Sequence, residues 1–250
     1  MDLQLIRELG TGASGSVNLA IDVHTKRRYA VKTLSKATTG RAKIDREIRI
    51  LERVSDRVGI VSLVDVINDF RDVHLVSEFV PGGDLESQGP IDVRDVFSSV
   101  ALSIAYLHSI GVIHRDVKNS NIMRGSGGVL VDFGSAVEFT RLPFLDPSCE
   151  GTLGFAAPER LRGEDYPASD VWSLGVTVFK LLYDKMPFGG GRGIVKNVMA
   201  SILDDVPCAI PPGQSAAATD FVARLLDKNH RRRMTIGEAL DHEYLRNQES

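Results

Sequence analysis

The chain has 250 residues, of which 43% are hydrophobic and 25% are charged. This composition is typical of a folded globular protein, and the length allows one large domain or two lobes around a sizeable core. The formal net charge of −3 provides no bulk attraction for nucleic acid or for an anionic lipid surface. We therefore expect no nucleic-acid partner and no membrane partner.

A glycine-rich segment follows the first predicted strand, which runs from Leu3 to Leu9. Its sequence is Gly10-Thr11-Gly12-Ala13-Ser14-Gly15-Ser16-Val17. Glycines at this spacing let a backbone approach phosphate groups closely, although the same pattern also occurs in dinucleotide-binding folds. From Val17 to Ile21 apolar residues alternate with a period of two, so a strand follows where a dinucleotide-binding fold requires a helix. The pattern favours a glycine-rich hairpin that lies over a nucleotide.

Lys32 lies in the next predicted strand, between Arg28 and Leu34. A Lys in an apolar strand is costly unless it meets an anion, but an edge-strand Lys that reaches solvent fits the strand pattern as well. Residues 43–54 carry apolar side chains at helical spacing and are predicted to form an amphipathic helix. Glu47 lies one position off the apolar stripe, so the pattern allows either an inward ion pair with Lys32 or a solvated carboxylate.

Two further strands are predicted at Leu63 to Phe70 and at Val73 to Phe79. The sequence Val80-Pro81-Gly82-Gly83-Asp84-Leu85 then breaks the pattern, and we place a lobe boundary there. The predicted units are an N-lobe at 1–79, a hinge at 80–84 and a C-lobe at 85–250. In the C-lobe, a long helix with a buried apolar stripe is predicted to end at Gly111.

The stretch from Val112 to Met123 brings three chemically useful side chains into six residues: Asp116, Lys118 and Asn121. An Asp can accept a hydroxyl proton, a Lys can lie against a transferring anionic group, and an Asn can bind a divalent cation. A short buried strand at 129–131 then ends in Asp132-Phe133-Gly134, where the Asp is placed to bind a metal ion. Together these residues indicate phosphoryl transfer.

The order of these segments resembles that of the eukaryotic-type protein kinase catalytic domain, and the resemblance extends from about Leu5 to Leu245. The matching motifs are the glycine-rich segment, Ala30-Val31-Lys32, Glu47, His114-Arg115-Asp116, Asp132-Phe133-Gly134 and Ala157-Pro158-Glu159. The resemblance implies an α+β, bilobal fold. A small antiparallel-sheet N-lobe with one helix would pack on a larger, mainly helical C-lobe.

The resemblance also implies a role for each matched residue. Asp116 is similar to the catalytic base, Lys118 to the lysine that contacts the γ-phosphate, and Lys32 to the phosphate-anchoring lysine whose partner is Glu47. Asn121 and Asp132 are similar to the ligands of Mg²⁺. The implied ATP-binding residues are Leu9, Gly10, Thr11, Gly12, Ala13, Ser14, Gly15, Ser16, Val17, Ala30, Lys32, Glu78, Val80, Asp84 and Met123. The implied reaction transfers the ATP γ-phosphate to protein Ser and Thr hydroxyls.

Two features place the resemblance in the serine/threonine class. Lys118 stands two residues after the base, and Gly151-Thr152 precedes the Ala-Pro-Glu motif. Thr152 is expected to hydrogen-bond to both Asp116 and Lys118. The alternative function is a pseudokinase that binds ATP or a partner without turnover, although such proteins usually lack a catalytic Lys, Asp or Gly and none is lacking here.

We expect a regulatory role for Ser148 and structural roles for Asp170 and Arg233. Ser148 occupies the position at which family members often carry a phosphate, and this phosphate would bind Arg115. Two possibilities stay open: phosphorylated Ser148 activates the protein, or Asp146 and Glu150 supply the acidic character constitutively. The resemblance also implies that Asp170 holds the backbone around Arg115. The pairing that it implies for the Arg231-Arg232-Arg233 run is between Arg233 and Glu159.

The remaining features predict a soluble intracellular protein. Cys149 and Cys208 are far apart and lack metal-like spacing, which suits a reducing compartment. The start of the chain shows no apolar signal region, and the run from Val171 to Tyr183 is interrupted by polar residues and too short to span a bilayer. We expect a monomeric catalytic domain located in the cytoplasm or the nucleus.

Overall fold

The fold is described from a computed structural model of the chain. It describes residues 1–12, 15–87, 89, 91–146, 148, 150–189, 195–211 and 213–246. Ala13 and Ser14 of the predicted ATP-binding segment lie outside the described residues, as does Cys149. The other predicted site residues are all described.

Five of the described strands form one antiparallel sheet in the order β1-β2-β3-β5-β4. They are β1 (Leu3–Gly12), β2 (Gly15–Asp22), β3 (Arg28–Ser35), β4 (Leu63–Asn68) and β5 (Asp72–Glu78). Lys32 lies in the middle of the sheet, opposite Val17 on β2 and Leu75 on β5. It is therefore not an edge-strand lysine.

The turn between β4 and β5 is longer than the sequence predicts. Asp69 Oδ1 accepts hydrogen bonds from the backbone N–H groups of Arg71 and Asp72, each at 2.8 Å. This local side-chain bonding takes Phe70 out of the strand and leaves it 94% exposed. The predicted strand to Phe70 thus ends at Asn68.

A short helix, α1 (Lys36–Thr39), leads into α2 (Arg41–Val54), which begins two residues before its predicted start. The apolar side chains of α2 pack into the core against the inner face of the sheet. Ile44, Ile50, Leu51 and Val54 are buried with Leu34 and Leu75. The apolar face of α2 packs on the sheet because burial of these side chains stabilises an amphipathic helix.

The larger lobe is mainly helical, as predicted. Its described helices are α3 (Val93–Ser109), α4 (Pro167–Tyr183), α5 (Val195–Asp204), α6 (Ala216–Leu225), α7 (Ile236–Leu240) and α8 (Glu243–Arg246). The N-terminus of α3 is capped by Asp92, whose side chain accepts from the N–H groups of Arg94 and Asp95. Gly111 follows the helix with a φ of +74°. None of the described helices is long and apolar enough to cross a membrane.

Three short strand pairs hold the loops that face the sheet lobe. They pair β6 (Val112–Ile113) with β9 (Val137–Glu138), β7 (Ile122–Gly125) with β8 (Gly127–Leu130), and β10 (Phe144–Leu145) with β11 (Glu164–Asp165). The backbone N–H of Val131 donates to the carbonyl of Asn121 at 2.9 Å. This bond brings the predicted metal-binding residues Asn121 and Asp132 onto neighbouring segments.

Candidate active site

A cavity of about 700 Å³ lies between the sheet and the helical lobe. The predicted ATP-binding residues that line it are Leu9, Gly10, Thr11, Gly12, Gly15, Val17, Ala30, Lys32, Glu78, Val80, Asp84 and Met123. Glu47, Lys118, Asn121 and Asp132 also contribute to its walls, whereas Ser16 and Asp116 do not. The described residues thus place nearly all of the predicted site around one cavity.

Packing within the protein requires glycine at some positions of the predicted nucleotide loop but not at others. Gly15 has a φ of +126°, and a Cβ there would lie 2.1 Å from the carbonyl oxygen of Thr33. Gly10 and Gly12 would place a Cβ in open space, with no described atom within 4 Å. Packing therefore explains glycine at Gly15 only, and the other two leave room for a ligand over the cavity.

Lys32 forms two short ion pairs inside the cavity. Its Nζ lies 2.6 Å from Oε1 of Glu47 and 2.7 Å from Oδ1 of Asp132. Glu47 is only 2% exposed, so α2 packs against the sheet with the Glu47 side chain directed toward Lys32. Gly134 permits this arrangement, because a Cβ at that position would lie 3.1 Å from Lys32 Nζ and 3.2 Å from Asp132 Oδ1.

Pairing outweighs burial at Lys32 and Asp132, whereas burial raises the pKa of Glu47 above its usual value. Burial by itself would lower the pKa of Lys32, but the neighbouring carboxylates of Asp132 and Glu47 raise it above its usual value. Burial would likewise raise the pKa of Asp132, and contact with Lys32 holds it below its usual value. Lys32 is therefore cationic and Asp132 anionic at neutral pH.

Asp116, the predicted base, is fixed by two neighbours on the same loop. Its Oδ2 accepts a hydrogen bond from Nδ2 of Asn121 at 2.9 Å and lies 2.9 Å from Nζ of Lys118. Its Oδ1 is buried and has no hydrogen-bond partner among the described residues. Contacts to Oδ2 thus fix the orientation of the carboxylate, while Oδ1 is enclosed by the protein.

Thr152 reaches this group through Lys118. Lys118 Nζ donates to Thr152 Oγ1 at 2.7 Å. The expected second bond, from Thr152 to Asp116, is not among the hydrogen bonds of the described residues, because Lys118 lies between the two side chains. Of the two predicted contacts of Thr152, the one with Lys118 is therefore present.

The donor set at Asn121 and Asp132 suits a hard divalent cation. Asn121 uses its amide N–H groups on the carbonyl and Oδ2 of Asp116, which leaves its amide oxygen as the group for a metal ion. Asp132 is an ionised carboxylate that lines the same cavity. Oxygen ligands of these two kinds fit Mg²⁺, which usually takes one or two protein ligands and completes its shell with phosphates and water. No cluster of three or more His, Cys, Asp or Glu ligands occurs in the described ranges.

Two non-glycine residues of the site have left-handed backbone conformations. The φ of Arg115 is +70° and that of Asp132 is +59°. Such conformations cost of order 1–3 kcal/mol each and persist only where the surroundings enforce them. At Arg115 the enforcing group is Asp170, whose carboxylate accepts from the backbone N–H of His114 at 2.9 Å and of Arg115 at 2.8 Å. Asp170 thus has the structural position that the resemblance implies.

Two histidines to which the sequence analysis assigned no role complete this support. His108 on α3 lies 2.9 Å from Asp170 through Nε2. His114 is fully buried, bonds to the carbonyl of Val131, and packs edge-on against Phe133 with ring centroids 4.8 Å apart. Burial lowers the pKa of His114, so its ring is neutral. The signal for His114 was available in its motif, but the contacts themselves are tertiary.

Residues 3–245 match the protein kinase domain family, and the chain belongs to this family. The resemblance that the motifs indicate is thereby confirmed, as is the α+β fold with its antiparallel sheet and helical lobe. The serine/threonine-protein kinase ppk6 of Schizosaccharomyces pombe is 33% identical over 263 residues, which cover 96% of this chain and 32% of that protein.

Two other relatives show the same relationship. The SNF-related serine/threonine-protein kinase of Rattus norvegicus is 32% identical over 257 residues, covering 96% of this chain and 34% of that protein. Myosin light chain kinase A of Dictyostelium discoideum is 29% identical over 262 residues, covering 97% of this chain and 88% of that protein. The chain thus spans about a third of the length of ppk6 and of the SNF-related kinase.

Proposed function

We propose that this chain is a serine/threonine protein kinase that transfers the γ-phosphate of ATP to Ser and Thr hydroxyls of protein substrates. The single observation that carries the proposal is the state of Asp116. Asn121 and Lys118, which line the cavity, both contact its Oδ2 and so fix the orientation of the carboxylate. A base in general acid–base catalysis needs such an oriented oxygen within reach of the acceptor hydroxyl.

In the proposed reaction the hydroxyl oxygen of Ser or Thr attacks the γ-phosphorus of ATP. The bond from that phosphorus to the oxygen bridging the β- and γ-phosphates breaks, and ADP leaves with the electron pair. The hydroxyl proton passes to Asp116. Lys118, 2.9 Å from Asp116, would lie against the transferring phosphoryl group and balance its charge.

ATP would lie in the 700 Å³ cavity. The adenine ring would stack between Val17 and Ala30 on one side and Met123 on the other, with the hinge backbone at Glu78 and Val80 as hydrogen-bonding groups. Asp84 is proposed to meet the ribose, although its Oδ1 also accepts from the backbone N–H groups of two following residues. The phosphates would lie under the glycine-rich hairpin, against Lys32.

Asn121 and Asp132 would hold Mg²⁺, as their oxygen donors suit this ion. When bound, Mg²⁺ neutralises the charge of the β- and γ-phosphates. Lys32 adds a fixed positive charge, which Glu47 keeps in place. In this proposal positioning and electrostatics provide most of the rate acceleration, because the protein forms no covalent intermediate.

We further infer that the catalytic domain acts as a monomer in the cytoplasm or nucleus, without nucleic-acid or membrane partners. The net charge of −3 supports the part of this inference that concerns nucleic acid and anionic membranes. The competing assignment, a pseudokinase, has no observation in its favour, since Lys32, Asp116, Asn121 and Asp132 are all present at the cavity or beside it.

The class of acceptor can be tested with Mg-ATP carrying a labelled γ-phosphate and a mixed peptide library. We expect labelled phosphoserine and phosphothreonine and no labelled phosphotyrosine. Transfer to Tyr at a comparable rate would contradict the serine/threonine assignment. ATP binding without any transfer would support a pseudokinase instead.

A further inference from the structure

Two arginines of α2 contact one carboxylate of the activation segment, the stretch from Asp132 to Glu159. Glu138 Oε2 lies 2.9 Å from Arg49 Nε, and Glu138 Oε1 lies 2.6 Å from Arg53 Nη1. Burial would raise the pKa of Glu138, but hydrogen bonds from the two arginines hold it below its usual value. Since Glu138 is part of β9, the C-terminal half of α2 is tied to a strand that is itself paired with β6.

The N-terminal half of α2 contacts the same segment further along. Glu150 Oε1 lies 3.1 Å from Lys43 Nζ, and Glu150 Oε2 lies 3.5 Å from Arg46 Nη2. Glu150 directly precedes Gly151, which packs against the backbone of Arg115, and Thr152, which accepts a hydrogen bond from Lys118. Two segment carboxylates thus meet four α2 cations spaced three or four residues apart, which places these cations on one side of the helix.

Arg115, whose family counterparts often bind a segment phosphate, already has carboxylate partners. Its Nη2 donates to Asp146 Oδ2 at 2.7 Å, and its Nε lies 2.9 Å from Asp165 Oδ2. The backbone N–H of Ser148 donates to the other oxygen of Asp146 at 2.8 Å. A phosphate on Ser148 would therefore enter beside an anion that already occupies the guanidinium.

We propose that Glu138 and Glu150 are positioning residues that hold α2, and with it Glu47, against the activation segment without a phosphate on Ser148. Carboxylates of the chain take the place that a phosphate would fill. Of the two possibilities that the sequence left open, this favours constitutive acidic character. The proposal rests on the proposed kinase function for its effect on turnover, but its effect on α2 can be measured separately.

The test uses the variants Glu138→Gln and Glu150→Gln, singly and together, with two readouts. The first is hydrogen–deuterium exchange of the backbone amides at 41–54, and the second is phosphate transfer to peptide. Asp45→Asn is the matched control, because Asp45 lies on the same helix but pairs with Arg41 four residues away. Lys43→Gln with Arg46→Gln removes the Glu150 contacts from the helix side.

We expect the double Gln variant to raise amide exchange in α2 about threefold or more and to lower kcat/KM for ATP about tenfold, since several modest ion pairs act on one element. The helix-side variant should change both readouts in the same direction. Asp45→Asn should change neither. Ser148→Ala, confirmed free of phosphate by mass spectrometry, should keep transfer within about twofold of the native protein.

Unchanged exchange in both the double Gln variant and the helix-side variant would overturn the proposal. So would loss of transfer in Ser148→Ala, or after phosphatase treatment of the native protein. If the native protein transfers no phosphate at all, the proposed function fails, and the exchange measurement still decides whether Glu138 and Glu150 hold α2. If a Gln variant does not fold, the helix-side variant decides.

Discussion

Glu47 on α2 and Lys32 on β3 form an ion pair of 2.6 Å beneath the glycine-rich hairpin. Only 2% of Glu47 is exposed, and its Oε2 has no hydrogen-bond partner among the described residues. This contact couples the position of a helix to the position of a cation in the proposed phosphate site. It also distinguishes the inward orientation of Glu47 from the solvated one, which the helix pattern alone allowed.

Replacing Glu47 with Gln should lower kcat/KM for ATP by about 10²-fold, because Lys32 loses the carboxylate that orients it. The measurement is steady-state phosphate transfer at varied ATP concentration. Glu52→Gln is the control, since Glu52 is an exposed acidic residue on the same helix. Equal losses in the two variants would show that Lys32 does not depend on Glu47.

Ser77 predicts an unusual inhibitor preference. It lies on β5 directly before Glu78, lines the cavity, and donates through its hydroxyl to the carbonyl of Ala30 at 3.3 Å. Because the serine side chain is small and leaves space in the cavity wall, we expect ATP-competitive inhibitors with large aromatic extensions to bind well. Ser77→Met should weaken inhibitor binding at least about tenfold, because the Met side chain would fill the space that the aromatic extension needs. Loss of the contacts of even one methylene group in a pocket is worth about this much. KM for ATP should stay unchanged. Equal inhibition of both proteins would contradict the prediction.

Arg233 and Arg232 provide a matched pair for stability. Arg233 is buried against Glu159 with Nη1 2.6 Å from Oε1, and its guanidinium lies 5.0 Å from the ring centroid of Trp172. Arg232 contacts Asp227 at the surface. Arg233→Met should lower the free energy of unfolding by about 3–5 kcal/mol, because it leaves a buried carboxylate unpaired. Arg232→Met should cost less than about 1 kcal/mol. Denaturant unfolding of both variants tests the difference, and similar losses would refute it.

Acid should destabilise the protein partly through Asp170. Burial would raise the pKa of Asp170, but bonds from His108 and the backbone of His114 hold it below its usual value of 3.8. A lowered pKa in the folded state stabilises the protein fully above the unfolded value, and this stabilisation is lost as pH falls through the folded pKa. The free energy of unfolding should therefore fall as the pH drops below the ordinary value of 3.8 and through the lower pKa of the folded state. The fall should be smaller in Asp170→Asn, and an identical slope would exclude this contribution.

The sequence predicted what local chemistry and motif order can specify. The period of two in β2 and the apolar stripe of α2 depend on near neighbours in the chain. The order of the motifs that contain Lys32, Asp116 and Asp132 can be read directly from the sequence. The fold class and the family followed from them.

Contacts between distant segments were not predictable in the same way. Glu138 lies 85 residues from Arg53, and neither has a periodic signal that identifies the other. Tertiary packing likewise places Glu150 beside Arg46 and Glu138 beside Arg49, contacts that the helix pattern does not encode. The contact of Arg115 with Asp165 was missed for the same reason. Competing local bonds, as at Asp69, likewise decided where a strand ended.

The role of Asp116 as the base that takes the proton from the acceptor hydroxyl can be tested by one comparison. Phosphate transfer and Mg-ATP binding should be measured side by side for the native protein and Asp116→Asn. We expect the variant to bind Mg-ATP within about threefold of the native protein, while transfer falls about 10²- to 10⁴-fold. A variant that still transfers phosphate at the native rate would contradict it.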